Sequence, residues 1–585
     1  MIRADTVREP TTIDTDLGRE IAGVVSLAVL GVGSRLAFQA LFPTVPFYDP
    51  LQLIHFGELI RDQGLAGKGW YWINFNAGLP VVLGMLFRTG WSPIPLARLA
   101  TAWATGLVGL IPLLMWRRIL PWRWRLLAGA LLALWPGQIF FAGVVVQDNW
   151  ILPPMVALAC LAVRRLRDPD EAGKPLLAGV LYAICFAIRQ EMAIVLLPLA
   201  IAAGVSRRAS NHRRRDAAVL LAVVAVAFLL LGLQRREATG RFSVTTGHGA
   251  LALFGSFMPG SGTGGWADAR AYAAALEPTL PRGPYGSPEQ LLRLTWTEVQ
   301  RRPAFHLLRV ASWLPRLGLY GDADNLFWSA GSPRSVATEK RLAAASFERI
   351  ARPWLIGELA IVQGLFTAAL FVGIRRRRPD ILVLAITIGL KFAIHMIVSP
   401  VGRLVVPAIA LELLTIPLAA AEFEQVERPE RLRVGLVGAL TALMLVALTP
   451  PLTRLVQRLD VSELPGVRSF ALDAGLECRI RCEIRSGAVA ALTSVAAWLV
   501  PDQSGSAAAL VCYPPTFEPE TVLRIVSDGF PAISADGVRV PREGESGGAF
   551  ILRNPNDVRA ISIEHPAGSG GLLRFEIDRP RGSAD

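Results

Sequence analysis

Residues 20–42 have the sequence EIAGVVSLAVLGVGSRLAFQALF, and this stretch decides the fold class of the chain. The run is long enough to cross the hydrocarbon core of a bilayer, which takes about 20 mostly apolar residues. It is longer than the apolar core of a signal peptide and has no Ala-x-Ala cleavage site. We therefore predict an uncleaved first transmembrane helix, preceded by a cytoplasmic tail at residues 1–19.

Apolar runs of this kind recur along the 585 residues, of which 52% are hydrophobic. The mean hydropathy is +0.42. The pattern predicts an α-helical polytopic membrane protein with about 11 transmembrane helices and additional interfacial helices. The transmembrane core would span residues 20–450, with outer loops at 43–93 and 234–352. The predicted spans are 20–42, 94–116, 125–142, 150–163, 175–188, 192–206, 217–233, 353–374, 380–398, 404–421 and 433–450.

The formal net charge of +13 comes from 60 basic and 47 acidic residues. Such an excess in a soluble protein could suggest a nucleic-acid partner. Here the basic residues are concentrated in every second connection, for example at 117–125 and 375–378, as the positive-inside rule requires for cytoplasmic loops. We therefore expect no nucleic acid, contact with membrane lipids, and a multi-pass location in the plasma (inner) membrane. Function is expected on the face opposite the arginine-rich connections.

The first segment on that outer face, residues 47–62, has the sequence FYDPLQLIHFGELIRD. Asp49 comes a few residues after the first span, so its carboxylate should lie at the membrane surface. Asp49 and the proline after it suit the N-cap and first position of a helix, and Leu53, Phe56 and Ile60 recur at helical spacing. This predicts an interfacial amphipathic helix. The simplest role for Asp49 is to cap that helix, which would stabilise it by roughly 1 kcal/mol.

The same topology places three short turns outside, at residues 147–149, 189–191 and 399–403. Beyond residue 450, short runs of β-type residues separated by Gly, Pro, Asp and Asn predict a β-rich extracytoplasmic domain at 451–585. An oxidising compartment would permit one disulfide among its three cysteines. Cys482 with Cys512 is the preferred pair, and Cys478 with Cys482 is the alternative, which would need a bent segment.

Six short motifs follow one another along this outer face. They are Tyr48-Asp49, Gly78-Leu79-Pro80, Pro95-Leu96-Ala97-Arg98-Leu99, Gln147-Asp148, Ile188-Arg189-Gln190-Glu191 and Gly402-Arg403-Leu404-Val405-Val406-Pro407. Their order and spacing resemble the C-type polytopic glycosyltransferases that use polyprenyl-phosphate sugars, such as the protein mannosyltransferases and the bacterial lipid A aminoarabinose transferase. The resemblance covers about residues 20–425.

The resemblance implies transfer of a sugar from a polyprenyl-phosphate carrier to a hydroxyl acceptor, with Asp49 as the base. The acceptor could be a glycan, a lipid or a protein. In that family the outer loop often carries Asp-Glu, and the Asp is held to act as base or to help hold a metal. Here Pro50 replaces the second acid, so a divalent cation is a candidate cofactor without an assured site. His55 and Glu58, one helical turn apart, are candidate replacement ligands.

Fixed cations near the departing lipid phosphate would stabilise the transition state. The candidates for binding carrier phosphate or substrate are Arg98, Asp148, Arg189, Glu191, Lys391, His395 and Arg403. Lys391 and His395 share one face of an apolar helix, where ionisable groups are costly and therefore functional candidates. An internal ion pair with Glu412 is the alternative for Lys391. Asp148 could instead serve the start of its own helix, and Arg189 and Glu191 could simply mark a surface turn.

Two other functions compete with a glycosyltransferase. The first is a transporter or lipid flippase, although the chain shows no convincing internal repeat of the kind common in transporters. The second is a non-catalytic subunit for envelope assembly that uses its outer domain to bind a partner. The missing second acid beside Asp49 keeps this last alternative open.

Overall fold

The computed structural model describes two sets of residues. The helical set is 13–46, 49–66, 71–72, 75–168, 172–205, 210–240, 242–245, 248–257, 288–331, 340–398, 402–424 and 428–459. The strand set is 469–475, 478–486, 488–492, 496–500, 508–513, 522–527, 532–536, 538–540, 542–543, 549–552, 561–565 and 571–578. Tyr48, the first residue of the first motif, lies outside the described residues, as does part of the turn predicted at 399–403.

The helices follow the apolar runs. They are α1 (Ile13–Leu41), α2 (Asp49–Gln63), α3 (Gly78–Phe87), α4 (Pro93–Gly106), α5 (Leu110–Met115), α6 (Trp122–Ala133), α7 (Pro136–Phe141), α8 (Gln147–Trp150), α9 (Leu152–Arg167), α10 (Pro175–Ile188), α11 (Met192–Val195), α12 (Leu197–Gly204), α13 (Ser210–Thr239), α14 (His248–Phe257), α15 (Pro288–Arg301), α16 (Pro303–Leu326), α17 (Arg341–Arg375), α18 (Pro379–Ile397), α19 (Val406–Phe423) and α20 (Arg428–Leu459). Short 3₁₀ turns occupy Gly64–Ala66 and Gly402–Val405, and Phe327–Gly331 is a π-helical turn.

Eight of the described helical segments are long and apolar enough to cross a membrane. The prediction of a multi-pass helical membrane protein is therefore confirmed. A helix also lies at each of the other three predicted spans, 150–163, 175–188 and 192–206, but these helices are shorter. A total of eleven crossings stays a prediction.

The interfacial helix predicted after the first span is α2, which begins at Asp49. Its apolar residues Leu53, Phe56 and Ile60 are buried, whereas the side chain of His55 is 52% exposed. This matches the amphipathic pattern of the sequence. The pattern thus turns one face of α2 inward and leaves the polar face accessible.

Arginines of the predicted cytoplasmic connections form ion pairs at one set of helix ends. Arg117 and Arg125 contact Glu20 near the start of α1, both at 3.1 Å. Arg167 contacts Asp380 at the start of α18 at 2.5 Å. Arg123 at the start of α6 pairs with Glu424 directly after α19, and Arg375 at the end of α17 pairs with Glu430 in the first turn of α20.

The residues of the outer motifs lie at the opposite helix ends. Asp49 follows the end of α1, a helix of 29 residues that is about 43 Å long at 1.5 Å per residue. Arg403 directly precedes α19, whose far end carries the arginine contacts. Of the candidate spans, the one containing α19 is the most enclosed, with 83% of its spanning window buried. The helices therefore separate an arginine-rich end from the end that carries the candidate site.

The chain divides into two compact units. The first comprises residues 1–246, 318–392 and 402–444, and the second comprises 247–317, 393–401 and 445–585. The domain boundary predicted between residues 450 and 451 stays a prediction.

Strands in the second unit form two antiparallel six-stranded sheets, with the orders β1-β2-β5-β11-β7-β8 and β3-β4-β12-β6-β10-β9. Cys482 and Cys512 face each other across β2 and β5 and form a disulfide, so the preferred pairing is confirmed. The strands are β1 (Ser469–Gly475), β2 (Cys478–Ser486), β3 (Ala488–Leu492), β4 (Ala496–Val500), β5 (Ala508–Tyr513), β6 (Val522–Ser527), β7 (Ala532–Ala535), β8 (Val538–Arg539), β9 (Arg542–Glu543), β10 (Ala549–Leu552), β11 (Ile561–His565) and β12 (Gly571–Asp578).

Candidate active site

Six of the predicted site residues lie in the first unit, four of them joined by ion pairs through Arg189 and Glu191, and the other two, Asp49 and Arg403, paired with each other and linked to Arg189 by the charge of Asp49. We call these six residues the charged cluster, and its members are Asp49, Asp148, Arg189, Glu191, Lys391 and Arg403. They come from five separate stretches of the chain. The cluster holds equal numbers of acids and cations, so its formal charge is balanced.

Arg189 is the centre of the charged cluster. Its Nη1 donates to Oδ1 of Asp148 at 2.7 Å, and its Nε donates to Oε1 of Glu191 at 2.5 Å. Burial acts to lower the pKa of Arg189, but Asp148, Glu191 and Asp49 outweigh it and hold the pKa above its ordinary value. The guanidinium is thus a fixed positive charge that orients two carboxylates.

Lys391 extends the network from α18. Its Nζ donates to Oε1 of Glu191 at 3.1 Å, the same oxygen that Arg189 contacts. The alternative of an ion pair between Lys391 and Glu412 is wrong. Glu412 instead accepts a hydrogen bond from Nε2 of Gln363 at 2.8 Å, because α19 turns it toward α17.

The backbone conformation changes at Arg189, directly after the end of α10. The chain becomes extended at Arg189, with φ −143° and ψ 118°. Gly78, at the start of α3, lies so close that an added Cβ would be 2.6 Å from the carbonyl of Ala187. The Gly-Leu-Pro motif at 78–80 therefore lets α3 contact the backbone that carries Arg189 into the cluster.

Asp148 is held by its neighbour Asn149, a residue that sequence analysis missed. The Nδ2 of Asn149 donates to the carbonyls of Phe141 and Val144 at 3.1 and 2.7 Å, and its Oδ1 accepts from Gln138 at 2.7 Å. These bonds close the turn between α7 and α8. Asp148 lies in the first turn of α8 and contacts Arg189, so its position at the start of its own helix and its ion pair occur together.

Arg403 lies in the 3₁₀ turn Gly402–Val405, and its Nη2 donates to Oδ2 of Asp49. Its guanidinium lies 4.5 Å from the ring centroid of Trp328, a cation–π distance. The other two nitrogens, Nε and Nη1, are buried and have no hydrogen-bond partner within the described part of the chain. The side chain of Asp49 is 40% exposed and that of Arg403 is 16% exposed, so Asp49 is the accessible partner.

Gly402 allows this approach. A Cβ at Gly402 would lie 2.7 Å from the carbonyl oxygen of Gly321 and 2.6 Å from the Cβ of Asp324. The turn therefore packs directly on the end of α16. Trp328, which follows α16, was missed by sequence analysis because an aromatic residue in an apolar stretch is usually a core residue.

Two predicted site residues remain, Arg98 and His395. Nη2 of Arg98 reaches the carbonyl of Gln39 at 3.4 Å, and Nε2 of Gln39 reaches the carbonyl of Arg98 at the same distance. Arg98 thus ties α4 to the end of α1, and among the described residues it makes no hydrogen bond or ion pair to the charged cluster. His395 is buried and belongs to the second unit.

Within the described part of the chain, the candidate ligands for a divalent cation contact each other or contact cations. His55 and Glu58 bond to each other at 2.8 Å on the accessible face of α2. No group of three or more His, Cys, Asp and Glu side chains that could hold a metal occurs among the residues described. The carboxylates of the cluster face guanidinium or ammonium groups. The role of His55 and Glu58 as metal ligands stays a prediction.

Comparisons with known proteins were made by sequence and by structure. No family model matches the chain, and no curated protein matches it. Among solved structures, the chain is similar to archaeal oligosaccharyltransferases. The apo form of the oligosaccharyltransferase from Archaeoglobus fulgidus is 14% identical, with a TM-score of 0.40 over 75% of this chain and 56% of that chain.

The same enzyme in complex with Zn and sulfate is 15% identical, with a TM-score of 0.39 over 74% of this chain and 52% of that chain. Archaeal oligosaccharyltransferase AglB from this organism, in complex with an inhibitory peptide and a dolichol-phosphate, is 14% identical with a TM-score of 0.38, over 75% of this chain and 55% of that chain. This chain therefore spans little more than half the length of the structures it matches.

Proposed function

We propose that this chain is a membrane glycosyltransferase that moves a sugar from a polyprenyl-phosphate carrier to a hydroxyl group of an acceptor. The contact between Asp49 and Arg403 carries this proposal. It sets an accessible carboxylate beside an arginine with two buried nitrogens that have no partner among the described residues. The carboxylate of Asp49, as a base for the acceptor, therefore lies next to the Arg403 nitrogens, as hydrogen-bond donors for a phosphate.

The proposed face is extracytoplasmic, in the plasma (inner) membrane. The charged cluster lies at the helix ends opposite the arginine-rich connections, and short arginine-rich connections are typical of the cytoplasmic side. An odd number of crossings, eleven, would also carry residues beyond 450 to the outer side.

In the proposed reaction, Asp49 accepts the proton of the acceptor hydroxyl as its oxygen bonds to the anomeric carbon of the sugar. The bond between that carbon and the phosphate oxygen breaks, and the phosphate leaves with the electron pair. Arg403 then faces the oxygen that gains negative charge, and its planar fork suits phosphate oxygens. Donors fixed where charge develops stabilise the transition state more than the bound substrate.

In this proposal, Arg403 also links the binding of the donor phosphate to the basicity of Asp49. In the structure it neutralises Asp49, and an acid held by a guanidinium is a weaker base. A carrier phosphate that binds Nε and Nη1 would compete with Asp49 for the same cation. We infer that donor binding raises the basicity of Asp49, so that the acceptor reacts after the donor is bound.

The contacts divide the cations of the cluster by role. Arg189 and Lys391 contact acids of the cluster, so we propose that both are positioning residues. Arg403 is the proposed phosphate-binding residue. Lys391, which the sequence suggested as a phosphate ligand, acts in this proposal through Glu191.

Replacing Asp49 by Asn tests the proposal. Asn keeps the shape but cannot accept the proton, and a positioned general base typically contributes about 10²–10⁴-fold. We expect Asp49→Asn to abolish the glycan product, measured by mass analysis of cell-envelope glycans in a strain that depends on this protein. Asp62→Asn is the matched control, because Asp62 lies on the same helix and its side chain is 58% exposed.

Normal product from Asp49→Asn at normal expression would refute a catalytic role for this residue. The same experiment addresses the competing functions. A transporter or flippase would move the carrier without joining sugar to acceptor, so the purified protein would form no product from both substrates. A non-catalytic assembly subunit would tolerate Asp49→Asn.

A further inference from the structure

Helix α16 exposes only apolar residues over its first part. Between residues 303 and 317, the exposed positions are Pro303, Ala304, Leu307, Ala311 and Leu314. The last four follow one another at spacings of three and four residues, so they lie along one side of the helix. We call these four residues the α16 stripe. Leu307 is its most prominent member, with 72% of the residue exposed.

The opposite side of α16 is buried and polar. His306, Arg309 and Ser312 are each no more than 3% exposed. The guanidinium of Arg309 lies 4.9 Å from the ring centroid of Phe257 on α14 and 5.1 Å from that of Trp313. A helix at the surface of a water-soluble protein turns its apolar face inward and its charged face outward. The first part of α16 has the reverse arrangement.

Contacts within the second unit accommodate these buried polar groups. Nε2 of His306 lies 3.7 Å from Oε1 of Glu298 on α15, and Oγ of Ser312 donates to the carbonyl of Arg309 at 2.7 Å. In membrane-embedded helices, polar side chains face the protein interior and pair there, while the apolar side faces lipid. The arrangement of α16 is therefore typical of a helix in a membrane.

The segment is connected to the bilayer on both sides. The candidate span Asn211–Ala238 precedes it in the chain, and the candidate span Ser346–Arg375 follows it. Helix α16 is not one of the eight described segments that are apolar enough to cross a membrane. Hydropathy is averaged over all sides of a helix, so the buried polar side of α16 hides its apolar side.

The preceding helix α15 has a mixed exposed side. Leu292 and Trp296 are exposed next to Arg293 and Thr297. Exposed tryptophan among polar and apolar residues is typical of helices that lie at the level of the lipid headgroups. The exposed side thus changes from mixed on α15 to apolar on the first part of α16.

We propose that the α16 stripe contacts the acyl chains of the bilayer, with α15 at the level of the headgroups. Lipid is the occupant because the stripe is apolar throughout, the polar side chains of the same helix are turned inward, and membrane spans flank the segment. Part of the outer loop predicted at residues 234–352 then lies within the membrane. This inference does not depend on the proposed function.

Spin-label accessibility in the full-length protein in lipid nanodiscs tests this inference. Single cysteines replace Leu307, Ala311 and Leu314, and each carries a nitroxide. Power saturation measures the exposure of the label to O₂, which concentrates in hydrocarbon, and to a water-soluble nickel chelate. Leu443→Cys, at an exposed apolar position of α20, is the control for lipid. Glu564→Cys, at an exposed position of β11, is the control for water.

We expect the ratio of O₂ exposure to nickel exposure at the three stripe positions to match that at Leu443 and to exceed that at Glu564 severalfold. Thr297→Cys on α15 should give an intermediate ratio. The parent protein supplies the background signal of its own cysteines. A ratio at the stripe as low as that at Glu564 would overturn the proposal.

The same labels test whether protein covers the stripe instead of lipid. Low exposure to both reagents, or spectral broadening that disappears on dilution with unlabelled protein, would show that a second copy occupies this surface and would overturn the proposal. Ala311→Cys is a small change at an exposed position, so it decides the question if Leu307→Cys fails to fold.

A charged substitution gives an independent measurement. Leu307→Asp should lower the yield of folded protein from membranes severalfold, because a carboxylate in hydrocarbon is costly. Gln300→Asp, at an exposed position of α15, is the matched control and should leave the yield unchanged. An unchanged yield of Leu307→Asp would contradict contact between the stripe and lipid.

Discussion

Replacing Arg403 by Gln removes the cation that faces both Asp49 and the proposed phosphate site. The structure gives Arg403 two buried nitrogens without a partner in the described chain, and a third nitrogen that donates to Asp49. A hydrogen bond to a charged group contributes about 1.5–3 kcal/mol. The loss of one such bond to phosphate would weaken carrier binding by roughly 10- to 150-fold.

The assay is equilibrium binding of a radiolabelled polyprenyl phosphate to the purified protein in lipid nanodiscs. Arg236→Gln is the matched control, because Arg236 lies near the end of α13 and is exposed. Arg403→Lys keeps the charge but loses the planar fork, so its affinity should fall between those of the parent and of Arg403→Gln. Parent-like affinity in Arg403→Gln, with a normal unfolding midpoint, would refute the assignment of the phosphate site.

Three further predictions concern the scaffold of the site. Arg189→Gln leaves Asp148 buried without its charged partner. This variant should lower the free energy of unfolding by about 3–5 kcal/mol in denaturant titrations. The control Arg236→Gln changes an exposed residue and should alter the free energy of unfolding by under roughly 0.5 kcal/mol. Gly402→Ala should reduce carrier affinity because its Cβ meets Gly321 and Asp324, whereas Gly435→Ala, which meets nothing within 4 Å, should not. Burial raises the pKa of Asp322 to about 7. The folded state then holds a proton that the unfolded state releases, so stability falls as pH rises from about 4 to 7, and thermal unfolding should show that Asp322→Asn reduces this slope.

The membrane fold follows from apolar run length, because about 20 apolar residues are needed to span a bilayer whatever their tertiary contacts. The motif order also selected five of the six residues of the charged cluster, and the sixth, Lys391, was selected because it is an ionisable residue in an apolar helix. The motif order did not predict which acid pairs with which cation. Lys391 and Glu191 are 200 residues apart, and nothing in periodicity or spacing brings such distant positions together. The expected partner Glu412 was nearer in sequence but faces Gln363.

Residues that shape the site through packing were harder to find. Asn149 and Trp328 have ordinary structural uses in turns and cores, and the sequence alone does not distinguish those uses from support of a functional arginine or carboxylate. Arg98 is a further example. Its motif suggested a substrate contact, which stays a prediction, and its side chain reaches the carbonyl of Gln39 at the end of α1. Motif resemblance therefore picked out residues that lie close together but did not distinguish substrate contacts from structural contacts.

The charge balance of the cluster explains how it can be both stable and reactive under the proposed function. Each acid is matched by a cation, so the isolated protein avoids the large cost of an unpaired charge near the membrane. Only the outermost pair, Asp49 with Arg403, combines an accessible carboxylate with donors left over for another anion. A phosphate that binds Arg403 would be the second anion beside this cation, which already pairs with Asp49. The acceptor hydroxyl carries the proton that would neutralise the excess negative charge. The same electrostatic balance that holds the resting site together would therefore favour proton transfer to Asp49 once the donor is bound.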